Sequence, residues 1–198
     1  MAYEWCISNA KEHEAFLKLT EGIKGNRDSL LLNNALADLF ESRGDLDEAV
    51  KVYEDLLLTH RAALVLKGGK DGNADACEEL GLVYVSYMQF ALRTGGLLAA
   101  RSVFRQATVD GALTPWSVYE EAAKVEREYG CKECVLRVFD MGAVYHSENV
   151  EFITRHLNWL IYADELDRAL ALFECVADKL PSEEVSHSGI VARTVHDN

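Results

Sequence analysis

Proline is nearly absent from this chain, since only two of its 198 residues are proline. Proline interrupts helix interiors, so its scarcity is typical of a protein with long helices. The chain also lacks any run of eighteen apolar residues, the length that a membrane-spanning helix requires. The sequence therefore predicts a helical protein without a membrane segment.

Positive charge is also scarce. Lysine and arginine number 20 against 33 aspartate and glutamate residues, which gives a formal net charge of −13 at pH 7. Direct binding to nucleic acid or to an anionic membrane usually depends on a basic surface. The acidic balance therefore argues against both, and any contact with RNA is predicted to be indirect.

Cysteine is present but not in a disulfide framework. The five cysteines are an odd number, and the segment from Met1 to Ala10 has no basic region typical of a secretory signal. Cys131 and Cys134 are separated by two residues, but a structural zinc site needs four ligands and no second such pair exists. The pattern predicts reduced intracellular thiols without a zinc or catalytic role.

A repeat is the strongest pattern in the chain. Four segments of equal length align without gaps, and each ends in an aromatic residue; the spacings between these aromatics are 51, 35 and 34 residues. A period near 34 is the length of one helical hairpin. We therefore predict an all-α fold, an α-α superhelix built as a solenoid of antiparallel helix pairs. The segments are 31–53, 82–104, 117–139 and 151–173.

The repeat divides the chain into three parts. Residues 1–29 are expected to form an N-terminal helix and turn, the second helix of a truncated repeat, and residues 30–180 to form four repeats. A flexible insertion at 59–79, rich in glycine around Gly68, explains the longer first spacing. Residues 181–198 are predicted to form a disordered or truncated tail.

Eight residues at repeated positions are predicted to form the repeat core, because small side chains let helices approach and aromatics fill the grooves between them. His156 falls in a core-facing slot, whereas Glu120, Glu121, Glu126 and Glu128 are expected to be solvated surface charges. No catalytic, cofactor-binding or metal-binding residue is predicted, so the chain is not expected to be an enzyme or to carry a cofactor. The predicted core residues are Tyr53, Ala100, Phe104, Trp116, Tyr119, Phe139, Ala169 and Phe173.

Two of these patterns resemble a known repeat family. The run from Ala100 to Phe104, Ala-Arg-Ser-Val-Phe, resembles the second-helix signature of half-a-TPR (HAT) repeats, and Trp116, Tyr119 and Glu126 resemble the first-helix signature. The stretch 82–93 is similar to the C-terminal HAT half of the large scaffold subunits of cleavage stimulation factors. The resemblance covers residues 30–180 and implies a helical-hairpin fold.

The resemblance also implies a function. The chain would be a non-catalytic scaffold and protein-interaction module in pre-mRNA 3′-end cleavage and polyadenylation, located in the nucleus and present as a homodimer. The partners that it implies are the RNA-binding and WD-repeat subunits of cleavage stimulation factor, symplekin, and the cleavage and polyadenylation specificity factor.

Three alternatives stay open. The run from Gly44 to Ala49 also fits the turn of a TPR repeat, so a TPR-like adaptor for a peptide ligand is possible. A HAT splicing factor of the crooked-neck type would share the same signatures. A direct RNA-binding helical repeat protein would fit the 35-residue spacing but lacks the basic surface that it needs.

Overall fold

The computed structural model describes residues 11–66 and 74–177. Within these ranges the chain forms eight α-helices and one 3₁₀-helix, and no strand occurs in them. The predicted fold class is confirmed, because the described residues form packed helix pairs of the all-α repeat type. The helices are α1 (Glu12–Gly25), α2 (Leu30–Arg43), α3 (Leu46–Leu66), α4 (Ala74–Ala107), the 3₁₀-helix (Thr108–Leu113), α5 (Trp116–Tyr129), α6 (Lys132–His146), α7 (Val150–Tyr162) and α8 (Leu166–Ala177).

The chain divides into two compact units at the boundary between Val138 and Phe139, which lies inside α6. The first unit contains α1 to α5 and the start of α6. The second unit contains the rest of α6 together with α7 and α8. None of the helices in the described residues combines the length and the hydropathy that crossing a bilayer requires.

Consecutive helices pack against each other in the first unit. Helix α1 packs on α2, α2 on α3, α3 on α4, and α4 on α5. The sequence sets the ends of α2 locally: the Ser29 side chain accepts a hydrogen bond from the amide of Leu32, and Gly44 ends the helix at φ 81°. Glycine adopts this left-handed conformation without steric cost. The chain can therefore reverse and begin α3 two residues later.

Helices extend further into the 59–79 stretch than its composition indicates. Helix α3 continues to Leu66 and α4 begins at Ala74, so most of the expected insertion is helical. Burial of side chains spaced by three or four residues continues through both stretches and stabilises the helical conformation. The centre of the insertion, the N-terminal ten residues and the predicted tail at 181–198 lie outside the described residues. The buried side chains are Leu57, His60, Leu64, Ala76, Cys77 and Leu80.

A glycine interrupts α4. Gly96 has φ 70° and ψ −166°, which divides α4 into an N-terminal and a C-terminal segment. The two segments supply the first and the second helix of one repeat. The second unit has a comparable turn between α7 and α8, where Asp164 has φ 60°. Aspartate is among the few residues that tolerate this region.

Another glycine allows α4 to approach α5. A Cβ atom at Gly81 would lie 2.5 Å from the hydroxyl oxygen of Ser117 and 3.1 Å from the Cβ of Pro115. We expect Gly81→Ala to lower the free energy of unfolding by about 1–3 kcal/mol, because the added methyl group overpacks this contact. Urea unfolding followed by circular dichroism measures the change. Gly25→Ala is the control, since nothing lies within 4 Å of its added Cβ, and equal destabilisation of both variants would contradict the prediction.

Candidate functional site

The predicted core residue Tyr53 lies in an aromatic cluster of the first unit. Its ring stacks on Tyr87 with centroids 5.1 Å apart and an interplanar angle of 10°, and Phe90 lies 5.3 Å away. Burial raises the pKa of Tyr53 to about 12, in agreement with the position of its ring inside the cluster. The cluster joins α3 to the N-terminal segment of α4.

A second aromatic contact joins the C-terminal segment of α4 to α5. The rings of Phe104 and Tyr119 meet edge to face, with centroids 5.7 Å apart and an interplanar angle of 84°. This arrangement is favoured by the quadrupole of aromatic rings. Ala100 is buried one turn before Phe104, whereas Trp116 is half-buried on the first turn of α5.

The remaining predicted core residues lie in the second unit. The ring of Phe139 is parallel to that of His156, with centroids 4.7 Å apart, and it also contacts Phe152. Ala169 is buried and Phe173 is half-buried. Six of the eight predicted residues are therefore buried and two are half-buried, and the assignment of all eight to a repeat core stays a prediction.

Glu126 corrects an expectation from the sequence. Predicted to be a solvated surface charge, it is only 6% exposed. Its two carboxylate oxygens accept hydrogen bonds from Nε and Nη2 of Arg101 at 2.6 and 2.8 Å. Gly130 makes room for the carboxylate, because a Cβ atom at that position would overlap with Oε2 of Glu126. The expectation was therefore wrong, and Glu126 forms an ion pair between α4 and α5.

The sequence contained both partners of this ion pair without showing that they meet. Arg101 and Glu126 each belong to the helix signatures that resemble HAT repeats, but they are 25 residues apart. Helical spacing reveals neighbours only three or four positions apart. Pairing of the two signature positions across successive helices could have identified the contact.

We expect a double-mutant cycle on Arg101→Met and Glu126→Gln to give a coupling energy of about 1–3 kcal/mol. Breaking a fully buried pair costs about 3–5 kcal/mol, but the Arg101 side chain is 37% exposed, so water reduces the effect. Urea unfolding of the four proteins measures the coupling. The control cycle uses Arg155 and Glu151, an exposed pair whose coupling should be about 0.3–0.5 kcal/mol. A coupling for Arg101 and Glu126 no larger than this control would contradict the prediction.

Polar side chains link the first helices of three successive pairs on one face of the first unit. Arg93 on α4 donates to both carboxylate oxygens of Glu41 on α2, at 2.9 and 3.4 Å. Gln89 on α4 donates to Glu121 on α5 at 3.1 Å. We call these residues, together with Asp38, the polar ladder. Asp38, Gln89 and Arg93 are exposed, whereas Glu41 and Glu121 are half-buried. The exposed part of the polar ladder is a candidate face for binding another protein.

The second unit exposes apolar side chains on all three of its helices. Tyr162 is 81% exposed, which is unusual for an aromatic residue in a folded protein. Where such residues form a contiguous patch, they often mark a site of protein association. We call these residues the apolar set; they are Met141, Val144, Tyr145, Ile161, Tyr162, Leu166 and Leu170.

A cavity in the first unit is too small to be a typical site for a small ligand. It has a volume of about 70 Å³ and is lined by residues that include Arg61, Tyr84 and Thr114. This volume is small beside the roughly 300–1,000 Å³ of typical ligand pockets. Across 11–66 and 74–177, no group of three or more histidine, cysteine, aspartate or glutamate residues is placed to bind a metal ion.

The packed helix pairs and their signature residues define a protein of the HAT repeat class. The sequence profile of the suppressor of forked protein (Suf) family matches residues 1–196, and the chain therefore belongs to that family. The resemblance stated from Arg101, Trp116 and their neighbours is thereby confirmed.

Three curated proteins illustrate the similarity. The mRNA 3′-end-processing protein RNA14 of Cryptococcus neoformans is 33% identical over 147 residues, which cover 71% of this chain and 13% of that protein. The protein suppressor of forked of Drosophila melanogaster is 34% identical over 98 residues, or 48% of this chain and 12% of that protein. Cleavage stimulation factor subunit 77 of Arabidopsis thaliana is 25% identical over 185 residues, or 91% of this chain and 22% of that protein. The chain thus spans less than a quarter of each of these three relatives.

Proposed function

We propose that this chain is a non-catalytic scaffold module in pre-mRNA 3′-end cleavage and polyadenylation. The observation that carries the proposal is the Suf family match over residues 1–196. The names of similar proteins, among them mRNA 3′-end-processing protein RNA14 and cleavage stimulation factor subunit 77, support the same process. Because this process takes place on nuclear transcripts, the proposed location is the nucleus.

The proposed partners are proteins of the same machinery. They are the RNA-binding and WD-repeat subunits of cleavage stimulation factor, symplekin, and the cleavage and polyadenylation specificity factor. The polar ladder supports protein recognition, since Asp38, Gln89 and Arg93 expose charged and polar groups on a helical face. In this proposal RNA is contacted only through these partners, in agreement with the net charge of −13.

Homodimerisation is part of the proposal. It is supported by the apolar set of the second unit, because burying exposed apolar area against an identical copy would stabilise a dimer. Light scattering of the purified full chain across a concentration range tests it. We expect a dimer for the unaltered chain and a monomer of unchanged helicity for the double variant Val144→Asp, Tyr162→Asp. The control Leu31→Asp, at an exposed apolar position of the first unit, should remain dimeric. A monomer at every concentration of the unaltered chain would exclude this part of the proposal.

The partner assignment needs a separate experiment. The full chain is immobilised and mixed with each purified 3′-processing subunit in turn, and retention is compared with that of the charge-reversal variant Asp38→Lys, Glu41→Lys. Retention of at least one subunit by the unaltered chain is expected. Retention of none, by a chain that circular dichroism shows to be folded, would count against the scaffold role.

The alternatives make different predictions. The family match favours the proposed process over a TPR-like adaptor or a splicing factor of the crooked-neck type. A direct RNA-binding repeat protein would bind single-stranded RNA tightly at low salt and lose affinity steeply as salt increases. Filter binding of the purified chain to RNA, with tight and salt-dependent retention, would favour that alternative.

A further inference from the structure

Two cysteines at the start of α6 lie in close contact in the first unit. The sulfurs of Cys131 and Cys134 are 2.7 Å apart, about 0.7 Å longer than a disulfide bond. The amide of Cys134 also donates a hydrogen bond to the sulfur of Cys131 at 3.3 Å. The first turn of the helix therefore holds the two sulfurs in direct contact, which is the proximity that bond formation between them requires.

The two thiols differ in their access to solvent. Cys131 is exposed and Cys134 is half-buried. The hydrogen bond with Cys131, together with burial, raises the pKa of the Cys134 thiol. An incoming reagent would therefore meet Cys131 first, whereas Cys134 is positioned to react with the sulfur of Cys131.

A basic side chain borders the pair. Nη2 of Arg101 lies 3.7 Å from the sulfur of Cys134 and, at the same time, donates to Glu126. The cation offsets only part of the rise in the pKa of the Cys134 thiol, whose thiolate is the reactive form. The thiol pair is thus in direct contact with the ion pair between α4 and α5.

We propose that Cys131 and Cys134 form a reversible dithiol–disulfide site, oxidised by a low-molecular-weight disulfide such as oxidised glutathione. It is a modification site in this proposal, with no turnover of a substrate. The proposal is independent of the 3′-processing role, because it depends only on contacts within this chain.

The reaction has two thiol–disulfide exchange steps. The thiolate of Cys131 attacks one sulfur of oxidised glutathione, the glutathione S–S bond breaks, and one glutathione thiolate leaves. The thiolate of Cys134 then attacks the Cys131 sulfur, the mixed disulfide breaks, and the second glutathione thiolate leaves. The two protons from the cysteines pass through solvent to the two glutathione thiolates. Two electrons move from the protein to glutathione, and reduced glutathione at high concentration reverses both steps.

The test uses the full reduced chain, incubated with oxidised glutathione, quenched with acid and N-ethylmaleimide, and digested with trypsin. Trypsin cleaves after Lys132, so an internal disulfide appears as peptides 128–132 and 133–137 joined together and lighter by two hydrogen atoms. We expect this linked pair as the main product and its loss after dithiothreitol. Cys175, which is exposed in α8, should instead carry glutathione.

Single cysteine variants distinguish the role of Cys131, which reacts first with glutathione, from that of Cys134, which then displaces it. In Cys134→Ser the glutathione adduct should stay on Cys131, and in Cys131→Ser the modification of Cys134 should be slower by roughly tenfold, because the exposed thiol is gone. Cys175→Ser is the matched control and should leave the yield of linked peptides unchanged. Circular dichroism verifies that each variant is folded. Stable glutathione adducts on both Cys131 and Cys134 of the unaltered chain would overturn the proposal.

A second measurement tests whether the folded structure accelerates disulfide formation between Cys131 and Cys134. The same oxidation is followed in urea above the unfolding transition, where the two cysteines remain close in sequence but lose the helix and Arg101. Faster formation of the linked peptides in the folded chain supports the site. Equal rates in the folded and unfolded chains would show that sequence proximity alone is responsible, and the proposed site would be rejected.

Discussion

Replacement of Phe139 by alanine is expected to lower the free energy of unfolding by about 3–5 kcal/mol. The side chain is only 3% exposed and contacts three rings of α7. Truncation removes apolar area from the core and leaves a cavity among aromatic rings, which are too rigid to fill it. Urea unfolding of the full chain, followed by circular dichroism, measures the loss.

Two control variants sharpen this prediction. Tyr162→Ala removes a ring that is mostly exposed and should change stability by about 0.5 kcal/mol or less. Phe173→Ala should have an intermediate effect, because that ring is half-buried. The order Phe139, Phe173, Tyr162 would support the predicted repeat core. An effect of Phe139→Ala as small as that of Tyr162→Ala would contradict the assignment of Phe139 to the core.

The helix pairs could be predicted because the residues that indicate them recur at a fixed period in the sequence. Aromatic residues such as Tyr53 and Phe104 recur at the ends of equal segments, and a helical hairpin is the element that this period fits. Interactions between hairpins cannot be predicted from this period, since they depend on which side chains of neighbouring helices come into contact. The Arg101–Glu126 ion pair was missed for this reason.

Residues that align at the turns of the four repeats do not all share the same backbone conformation. The alignment places Gly44, Gly95, Gly130 and Asp164 at equivalent positions. Gly44 and Asp164 adopt positive φ, but in the second repeat the positive φ is at Gly96, and Gly130 has φ −109°. At Gly130 the missing side chain instead accommodates the carboxylate of Glu126. Glycine therefore allows a positive φ in one repeat and close packing of a neighbouring side chain in another.

The ends of α3 and α4 could not be located from composition. Glycine, lysine and asparagine around Gly68 indicate a loop, and the composition of the flanking residues predicts that it spans 59–79. Leu64 and Leu80 are nevertheless buried within helices on either side. Because tertiary packing stabilises helical turns more than intrinsic propensity does, the helices continue past the boundaries that composition indicates.

The interaction surfaces were the least predictable part. Whether Tyr145 or Tyr162 is buried depends on the rotation of each helix within its pair. Residue type does not reveal this, because tyrosine occurs both in the core and at the surface. The structure exposes both of these tyrosines and buries Tyr84 and Tyr87. The apolar set became visible only when the helices were placed in three dimensions.

His156 introduces an acid sensitivity into the second unit. The residue is only 5% exposed, and Nε2 has no hydrogen-bond partner among the described residues. Burial lowers the pKa of His156 from 6.5 to about 4; Asp140 opposes this shift and Arg168 adds to it. The imidazole is therefore neutral at pH 7, which suits its parallel contact with the ring of Phe139.

The direction of the pH effect follows from this lowered pKa. Below pH 6.5 the unfolded chain binds a proton at His156 before the folded chain does, so the stability that is present above pH 6.5 decreases as the pH falls towards 4. With these two pKa values the loss at pH 5 is about 2 kcal/mol. Urea unfolding at pH 7 and pH 5 measures the total change, to which other groups also contribute.

The variant His156→Phe isolates the contribution of this one histidine. Phenylalanine can keep the stacking contact with Phe139 but cannot bind a proton, so the pH-dependent loss in the variant should be smaller by about 2 kcal/mol. The replacement of His13 by phenylalanine is the control and should leave the loss unchanged, because His13 is exposed and lies in the first unit, away from Phe139. An equal pH dependence in the unaltered chain and in His156→Phe would mean that the imidazole is solvated in solution. In that case His156 could not belong to the apolar interior of the second unit.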